Sequence, residues 1–299
     1  MTHPAITLLP QQHGSDLPHI ALRALRHHLP TIACDCYVEA IEHHGSPVEW
    51  GWRYGPHENI DHHAPVDAMA RLVSSANLAL VRVARLGTAS PDTRVLLTHT
   101  DCDSILSAGI VSGRIPPLLH YGDAALAADH TGADHPVADL LQAIQDRRDV
   151  EYAFEMLACL EGGRPLPPDA ARLLDARRRK RDDAASAVAQ GRFEQLGEGI
   201  WFAGFSGETD GEFFPALLPE AQLIVVGVRH PDPARANPWA IKVRRGLGMP
   251  DGRDLRHLEL TRYDQAYGGR WNAGSNKRGG GTGLEPRVWA EGLRRRVSS

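Results

Sequence analysis

In the first half of the chain, segments with the hydrophobic pattern of strands alternate with segments that have the pattern of helices. Short apolar runs predict strands at Pro4–Leu9, Thr31–Asp35 and Arg94–His99. Apolar residues spaced three and four apart predict helices at Leu17–Leu29, Val66–Leu86 and Ser104–Val111. Trp50, Trp52 and Tyr54 alternate as in a half-exposed strand. Strands that alternate with helices predict an α/β fold, with a parallel sheet that carries helices on both faces.

The second half changes pattern twice. Residues 133–160 have helical spacing, and Pro168–Gln190 reads as a charged helix. After Gly191, short apolar strands return at Gly199–Gly204, Ala221–Val228 and Trp239–Arg244. We therefore expect an N-terminal domain over residues 1–165, a helical linker over 166–191 and a smaller α/β domain over 192–299.

Charge and composition narrow the class of function. The net charge of −4 argues against a broad cationic surface for bulk DNA, although a local basic groove remains compatible with it. The chain contains four cysteines and no CxxC pair, which disfavours a zinc ribbon. No run of about 18 apolar residues occurs, so we expect no membrane association and a cytoplasmic protein with reduced thiols.

Sixteen histidines are an unusual number, and several lie beside aspartates at predicted strand ends. His99, Asp101 and Asp103 follow one strand, and alternation along an extended chain would place all three on one side. The alternative for Asp101 or Asp103 is the capping of a helix that starts near Ser104. Capping explains only one carboxylate. Adjacent aspartates favour a bound cation, so the segment predicts a metal site.

Two further elements complete the pattern: Asp35 ends an apolar strand, and Asp61-His62-His63 follows another extended segment. Together with the HxDxD segment, they resemble the DHH phosphoesterase superfamily. The last part of the chain is similar to the DHH-associated C-terminal domain. The order differs, because the HxDxD motif comes first in the family and here follows Asp-His-His. The chain is then either a permuted relative, or its His99 segment corresponds to a later family motif.

The resemblance implies a two-metal site in the N-terminal domain. Asp35 would bridge the metals, His99 and Asp101 would complete one site, and Asp103 and His62 would contribute to the other. His63 would face the substrate phosphate, with Asp101 and Asp103 serving catalysis. Asp61, which belongs to the same motif as His62, is also expected to be a metal ligand. Two positions compete for the fourth family aspartate: Asp123 is the first candidate and Asp129 the second.

These donors are carboxylates and imidazoles, which suit manganese, with magnesium or cobalt as alternatives. The expected reaction is phosphoester hydrolysis by metal-activated water. The expected substrate is a short oligonucleotide or a cyclic dinucleotide. Pyrophosphate or polyphosphate is the alternative substrate. A non-catalytic nucleotide-binding regulator on the same fold is the alternative of a different class. The oligomeric state is left open.

A glycine-rich segment in the C-terminal domain is the expected substrate-binding loop. Glycines allow backbone N–H groups to approach a phosphate closely, and the basic residues add positive charge. The indole of Trp271 offers a ring on which a base could stack. The substrate-binding residues are therefore predicted to be Arg270, Trp271, Lys277, Arg278, Gly279 and Gly280.

Overall fold

The computed structural model describes residues 3–10, 29–36, 38–62, 72–197, 199–207, 209–232 and 235–297. The chain forms two compact units. Unit 1 comprises Met1–Asp129 and Asp134–Arg177, and unit 2 comprises His130–Ala133 and Arg178–Ser299. The boundary falls within one long helix, Pro168–Ala189, so the predicted linker is part of a continuous helix that contributes to both units.

Unit 1 is built on a mixed six-stranded sheet. Its strands are β1 (Ala5–Leu8), β2 (Thr31–Cys34), β3 (Ser46–Val48), β4 (Gly51–Tyr54), β5 (His57–Ile60) and β6 (Arg94–Leu97). They lie in the order β1-β6-β2-β5-β4-β3. The first four strands in this order are parallel, β4 pairs antiparallel with β5, and β3 pairs antiparallel with β4. Both β2 and β5 are buried along their whole length, as expected for strands within a covered parallel sheet.

The described helices of unit 1 follow the predicted alternation with strands, and the α/β fold class is confirmed. They are α1 (Glu39–His44), α2 (Ser75–Leu86), α3 (Cys102–Ser112), α4 (Leu119–Leu126), a π-helical turn (Ala127–Thr131), α5 (Pro136–Ile144), a 3₁₀ turn (Gln145–Arg147), α6 (Val150–Glu161) and α7 (Pro168–Ala189). The single helical stretch predicted over 133–160 is thus two helices. Arg148 takes a left-handed conformation between them, with φ of 53°.

Helix α2 begins later than its hydrophobic pattern suggested. Ser74 accepts a hydrogen bond from the backbone N–H of Asn77, whose side chain in turn accepts one from the Ser74 backbone, and this capping box defines the first turn. Gly87 ends the helix with φ of 75°. Residues 63–71, where the prediction begins this helix, lie outside the described part, as does most of the predicted helix Leu17–Leu29.

Unit 2 contains a second six-stranded sheet. Its strands are β7 (Glu194–Gly197), β8 (Ile200–Phe205), β9 (Leu223–Arg229), β10 (Trp239–Arg245), β11 (Gly268–Gly269) and β12 (Ala273–Ser275). They lie in the order β11-β12-β10-β9-β8-β7. The neighbours β8 and β9 are parallel, and the other pairs are antiparallel. The described helical segments are Gly211–Phe213, α8 (Phe214–Leu217), Leu255–Leu258, α9 (Leu260–Tyr263) and α10 (Pro286–Val297).

Successive side chains of β9 pack alternately into two hydrophobic clusters of unit 2. Leu223 and Val225 pack with Trp289 of α10, whereas Ile224 and Val226 pack with Phe214 of α8. Both faces of this strand are therefore buried. Across the described residues, no helix combines the length and apolar character needed to cross a bilayer.

Candidate metal centre

The carboxyl ends of the parallel strands bring the predicted acid and histidine segments together. Asp35 follows β2, Asp61 and His62 follow β5, and His99 comes two residues after β6. These three strands are adjacent in the sheet. Parallel strands end at the same edge, so loops distant in the chain meet in one crevice.

The first group of side chains comprises Asp35, His99 and Asp101. The Nε2 atom of His99 lies 3.0 Å from Oδ2 of Asp35 and 3.3 Å from Oδ2 of Asp101. On the other side of the ring, Nδ1 lies 2.9 Å from the hydroxyl of Thr98. That contact fixes the imidazole so that Nε2 points at the two carboxylates.

The second group comprises Asp35, His62, Asp103 and Asp129. One atom, Nε2 of His62, lies 3.3 Å from Oδ2 of Asp129, 3.6 Å from Oδ1 of Asp35 and 3.6 Å from Oδ2 of Asp103. His62 and the carboxylates of Asp35 and Asp103 are almost completely buried. Asp129 comes from the π-helical turn, a local distortion that is frequent at functional sites.

Asp35 belongs to both groups and presents a different oxygen to each. Its backbone has φ of 52°, a left-handed conformation that is uncommon for a residue with a side chain. Its amide donates to the carbonyl of Ile60 at 2.8 Å, which ties the end of β2 to the end of β5. The hydroxyls of Ser75 and Ser104 donate to Oδ1 and Oδ2 at 3.0 and 2.8 Å. The carboxylate is therefore held in one orientation.

Crowding of carboxylates in a buried site changes the affinity of its groups for protons. Burial by itself disfavours a charged imidazolium, but contacts with Asp129, Asp103 and Asp35 outweigh it and raise the pKa of His62 to about 10. For His99, burial likewise lowers the pKa, but contacts with Asp101 and Asp35 outweigh it and raise the pKa to about 11. Burial and the neighbouring aspartates also raise the pKa of Asp103 well above its usual value. The cluster therefore attracts positive charge strongly.

The donor set fits divalent cations. Within each of the two groups the donor atoms lie within 4.8 Å of one another, and their nitrogen–oxygen distances run from 3.0 to 3.6 Å. Neighbouring ligands of an ion with bonds of about 2.0–2.2 Å are separated by roughly 3 Å. Buried carboxylates and imidazoles with no thiolate suit manganese or magnesium better than a structural zinc. The four cysteines of the chain are buried free thiols that belong to neither group.

The predicted metal ligands are placed unequally. The structure brings Asp35, His62, His99, Asp101 and Asp103 into the two groups. Asp61 is fully buried beside them but is not a member of either group. Asp123 is exposed on α4, outside both groups, whereas the second candidate, Asp129, lies within 3.3 Å of His62. The predicted catalytic residue His63 falls outside the described residues.

The His99 segment reaches the site differently from the extended arrangement predicted for it. Helix α3 already begins at Cys102, and Asp101 is its N-cap, accepting from the amide of Ser104 at 3.0 Å. Asp103 does not cap its own helix. Its two oxygens accept from the amides of Ser75 and Ala76 at 2.7 and 2.6 Å, in the first turn of α2. Asp101 thus both caps α3 and joins the first group, so the two interpretations of this aspartate are compatible.

Ser75 is a functional candidate that the sequence analysis missed. It contacts three of the four residues of the second group: its hydroxyl donates to Asp35, its amide donates to Asp103, and its oxygen accepts from the amide of His62 at 3.3 Å. It is completely buried. The only sequence signal was the pair Ser74-Ser75 inside the predicted helix Val66–Leu86, and serines near a helix start are usually explained by capping.

Asn59 is a second missed residue, and it holds the loop after β2. Its side-chain oxygen accepts from the amide of Val38 at 3.1 Å, and its side-chain nitrogen donates to the carbonyl of Cys36 at 2.9 Å. The side chain thereby connects β5 to the turn that contains Asp35. An asparagine within a buried strand is rare enough to have been a usable signal.

In unit 2, the structure separates the predicted loop residues by exposure. Arg270, Lys277, Arg278 and Gly279 are exposed, and Gly280 is half-buried. Trp271, in contrast, is only 8% exposed. Its ring lies 5.4 Å from that of His130 and 5.9 Å from the guanidinium of Arg245, measured between centres. The indole of Trp271 therefore does not present the open stacking face that was expected, because almost all of it is covered.

Comparison with known proteins gives similarity at the level of solved structures. No family model matches the chain, and no curated protein matches it. The pGpG-specific phosphodiesterase PggH of Vibrio cholerae aligns with a TM-score of 0.46 and 11% identity, over 73% of this chain and 88% of its own. The exonuclease RecJ bound to manganese aligns with a TM-score of 0.39 and 12% identity, over 96% of this chain and 77% of its own. The resemblance of the chain to the DHH phosphoesterases therefore remains one of sequence motifs.

Proposed function

We propose that the protein is a metal-dependent phosphoesterase that hydrolyses a phosphodiester of a short oligonucleotide or a cyclic dinucleotide. The observation that carries the proposal is the sharing of Asp35 between two groups of oxygen and imidazole donors at the carboxyl edge of a parallel sheet. Two cations side by side are the arrangement that suits displacement at phosphorus.

In this proposal His99, Asp101 and Asp35 hold one ion, and His62, Asp103, Asp129 and Asp35 hold the other. When bound, divalent cations would lower the pKa of water and offset the charge on the phosphoryl oxygens. The chain positions these ligands through Thr98 and the two serines that donate to Asp35. Metal ligation requires neutral imidazoles, so His62 and His99 give up their protons when the ions bind.

Positively charged side chains in unit 2 support the proposed phosphorylated substrate. Arg270, Lys277 and Arg278 are exposed cations within a glycine-rich segment and would contact phosphate. His63 keeps its proposed place facing the substrate phosphate. Pyrophosphate or polyphosphate remains the rival substrate, because it needs cations but no surface for a base.

The test is turnover by the purified full-length chain with manganese, using a linear dinucleotide, a cyclic dinucleotide and pyrophosphate as parallel substrates. Release of mononucleotide from the linear dinucleotide, or opening of the cyclic one to a linear dinucleotide, is expected, and exclusive release of phosphate from pyrophosphate would select the rival substrate. A matched pair of variants sharpens the assignment. Asp129→Asn should lose activity, while Asp123→Asn, which changes an exposed carboxylate outside both groups, should keep it. Nucleotide binding without turnover of any substrate would identify a regulator instead.

A further inference from the structure

Unit 2 contains a cavity of about 320 Å³ at the carboxyl ends of its parallel strand pair. Ser206 and Gly207, which follow β8, form one wall, and Arg229 and His230, at the end of β9, form another. The start of β10, at Trp239, closes a third side. Loops at the carboxyl ends of adjacent parallel strands are the usual place for ligands in α/β sheets.

The charge of this cavity is one-sided. Four cations line it, namely Arg229, Arg235, Lys242 and Lys277, and the described lining residues include no carboxylate. The ammonium of Lys242 is anchored by the carbonyl of Thr209 at 2.9 Å, which holds its charge at the wall. Four cations around one concave surface favour a phosphorylated ligand.

The cavity is also partly apolar, which distinguishes it from a site for phosphate alone. Val228, Pro231, Ala240 and the half-buried indole of Trp239 contribute to its lining. The guanidinium of Arg229 lies 5.8 Å from the centre of that indole. Its volume lies at the lower end of the range for small-molecule sites, about 300–1,000 Å³. A cation beside an aromatic ring is the combination that binds a phosphate together with a flat base.

The wall of the cavity is held rigidly by the glycine-rich segment. Gly281 takes φ of 78°, and a Cβ at this position would lie 2.6 Å from the carbonyl oxygen of Trp239. Thr282 and Trp239 exchange two backbone hydrogen bonds, at 2.8 and 3.2 Å. Only glycine permits this close approach, and the approach places Lys277 and Gly281 on the cavity wall.

We propose that this cavity binds one nucleoside monophosphate unit, with the phosphate against Lys242 and Arg229 and the base against the Trp239 ring. The bound nucleotide is either the end of a substrate or a free mononucleotide. The inference rests on the proposed function only for the choice between these two sources. It moves base recognition from Trp271, which is buried, to Trp239.

The test is calorimetric titration of the full-length protein, in the presence of a chelator, with guanosine and adenosine 5′-monophosphates, ribose 5-phosphate and guanosine. The mononucleotides should bind more tightly than either part alone. Trp239→Leu should weaken mononucleotide binding by about 5- to 100-fold and leave ribose 5-phosphate unchanged, and Trp239→Phe should restore most of the affinity. Lys242→Gln should weaken mononucleotide and ribose 5-phosphate binding by about tenfold or more, because both carry the phosphate. Arg262→Gln, an exposed arginine paired with Glu259 and outside the cavity, is the control and should bind normally.

Absence of mononucleotide binding at millimolar concentration, or equal losses in Arg262→Gln and Lys242→Gln, would overturn the inference. Neither result depends on the metal centre, because the chelator prevents turnover. Hydrolysis of dinucleotides without mononucleotide binding would support the proposed function and overturn the proposed cavity site. Mononucleotide binding without hydrolysis of any diester would support the cavity site and overturn the proposed function. Competitive inhibition of dinucleotide turnover would identify the unit as the end of the substrate, and a non-competitive effect would identify a free mononucleotide.

Discussion

Ser75→Ala is the sharpest perturbation of the candidate metal centre, because it removes one hydroxyl and no ligand. The hydroxyl donates to Oδ1 of Asp35 at 3.0 Å, and its oxygen accepts from the amide of His62 at 3.3 Å. Hydrogen bonds contribute about 0.5–1.5 kcal/mol when neutral and about 1.5–3 kcal/mol to a charged partner. The two bonds together predict a loss of about 2–4.5 kcal/mol in the free energy of unfolding of the metal-free protein.

The same substitution should weaken manganese binding, because Asp35 would no longer be held for both groups. Loss of a partner that orients a metal ligand typically lowers metal affinity about 10- to 100-fold. Titration calorimetry with manganese measures this directly, and chemical denaturation with and without metal separates stability from affinity. The matched control is Ser112→Ala on α3, a buried serine whose hydroxyl bonds only to a carbonyl within its own helix among the contacts observed here, Gly109 at 3.1 Å.

The outcome that refutes this reasoning is an unchanged manganese affinity in Ser75→Ala, or a loss no greater than that in Ser112→Ala. Either result would mean that the Asp35 carboxylate is positioned adequately by Ser104 and the backbone alone.

Further predictions concern chemistry, protons and the second unit. Asp101→Ala should abolish diester turnover while circular dichroism shows a folded protein; full turnover would remove this residue from the site. Manganese binding at neutral pH should release protons, because the raised pKa values of His62 and His99 keep both imidazoles charged without metal; calorimetry in buffers of different ionisation enthalpy counts them. The same raised values stabilise the metal-free protein fully below about pH 6.5, and this contribution should fade as the pH rises towards 10, as thermal melts would show. Arg278→Ala should raise KM with kcat nearly kept in steady-state kinetics, whereas Trp271→Ala should lower stability by about 3–5 kcal/mol in denaturant titrations.

Much of the metal centre was accessible from the sequence, for a definite physical reason. A polar residue that directly follows an apolar strand must lie at the strand's carboxyl end, and parallel strands share that edge. Asp35 directly follows the apolar strand β2, and His62 and His99 come two residues after β5 and β6. Local pattern therefore predicted which loops would meet without any knowledge of the order of strands in the sheet.

The choice of Asp129 as the candidate fourth aspartate depends on the tertiary structure alone. Asp123 and Asp129 lie only a short distance apart in a helical region, and nothing in their local sequence separates them. Helix α4 turns Asp123 towards solvent, and the π-helical turn at Ala127–Thr131 shifts the register so that Asp129 reaches His62. A π-turn depends on packing rather than on residue type, so periodicity could not predict it.

The supporting residues were likewise decided by tertiary contacts. Ser75 has the sequence context of an ordinary helix start, and its role comes from the approach of α2 to α3, which places its amide against Asp103 and its hydroxyl against Asp35. The burial of Trp271 could not be inferred from its glycine and arginine neighbours in the sequence, because the residue that lies against its ring, His130, is far away along the chain. Sequence pattern determines which residues stand at strand and helix ends, whereas burial and long-range hydrogen bonds arise only when separate elements pack together.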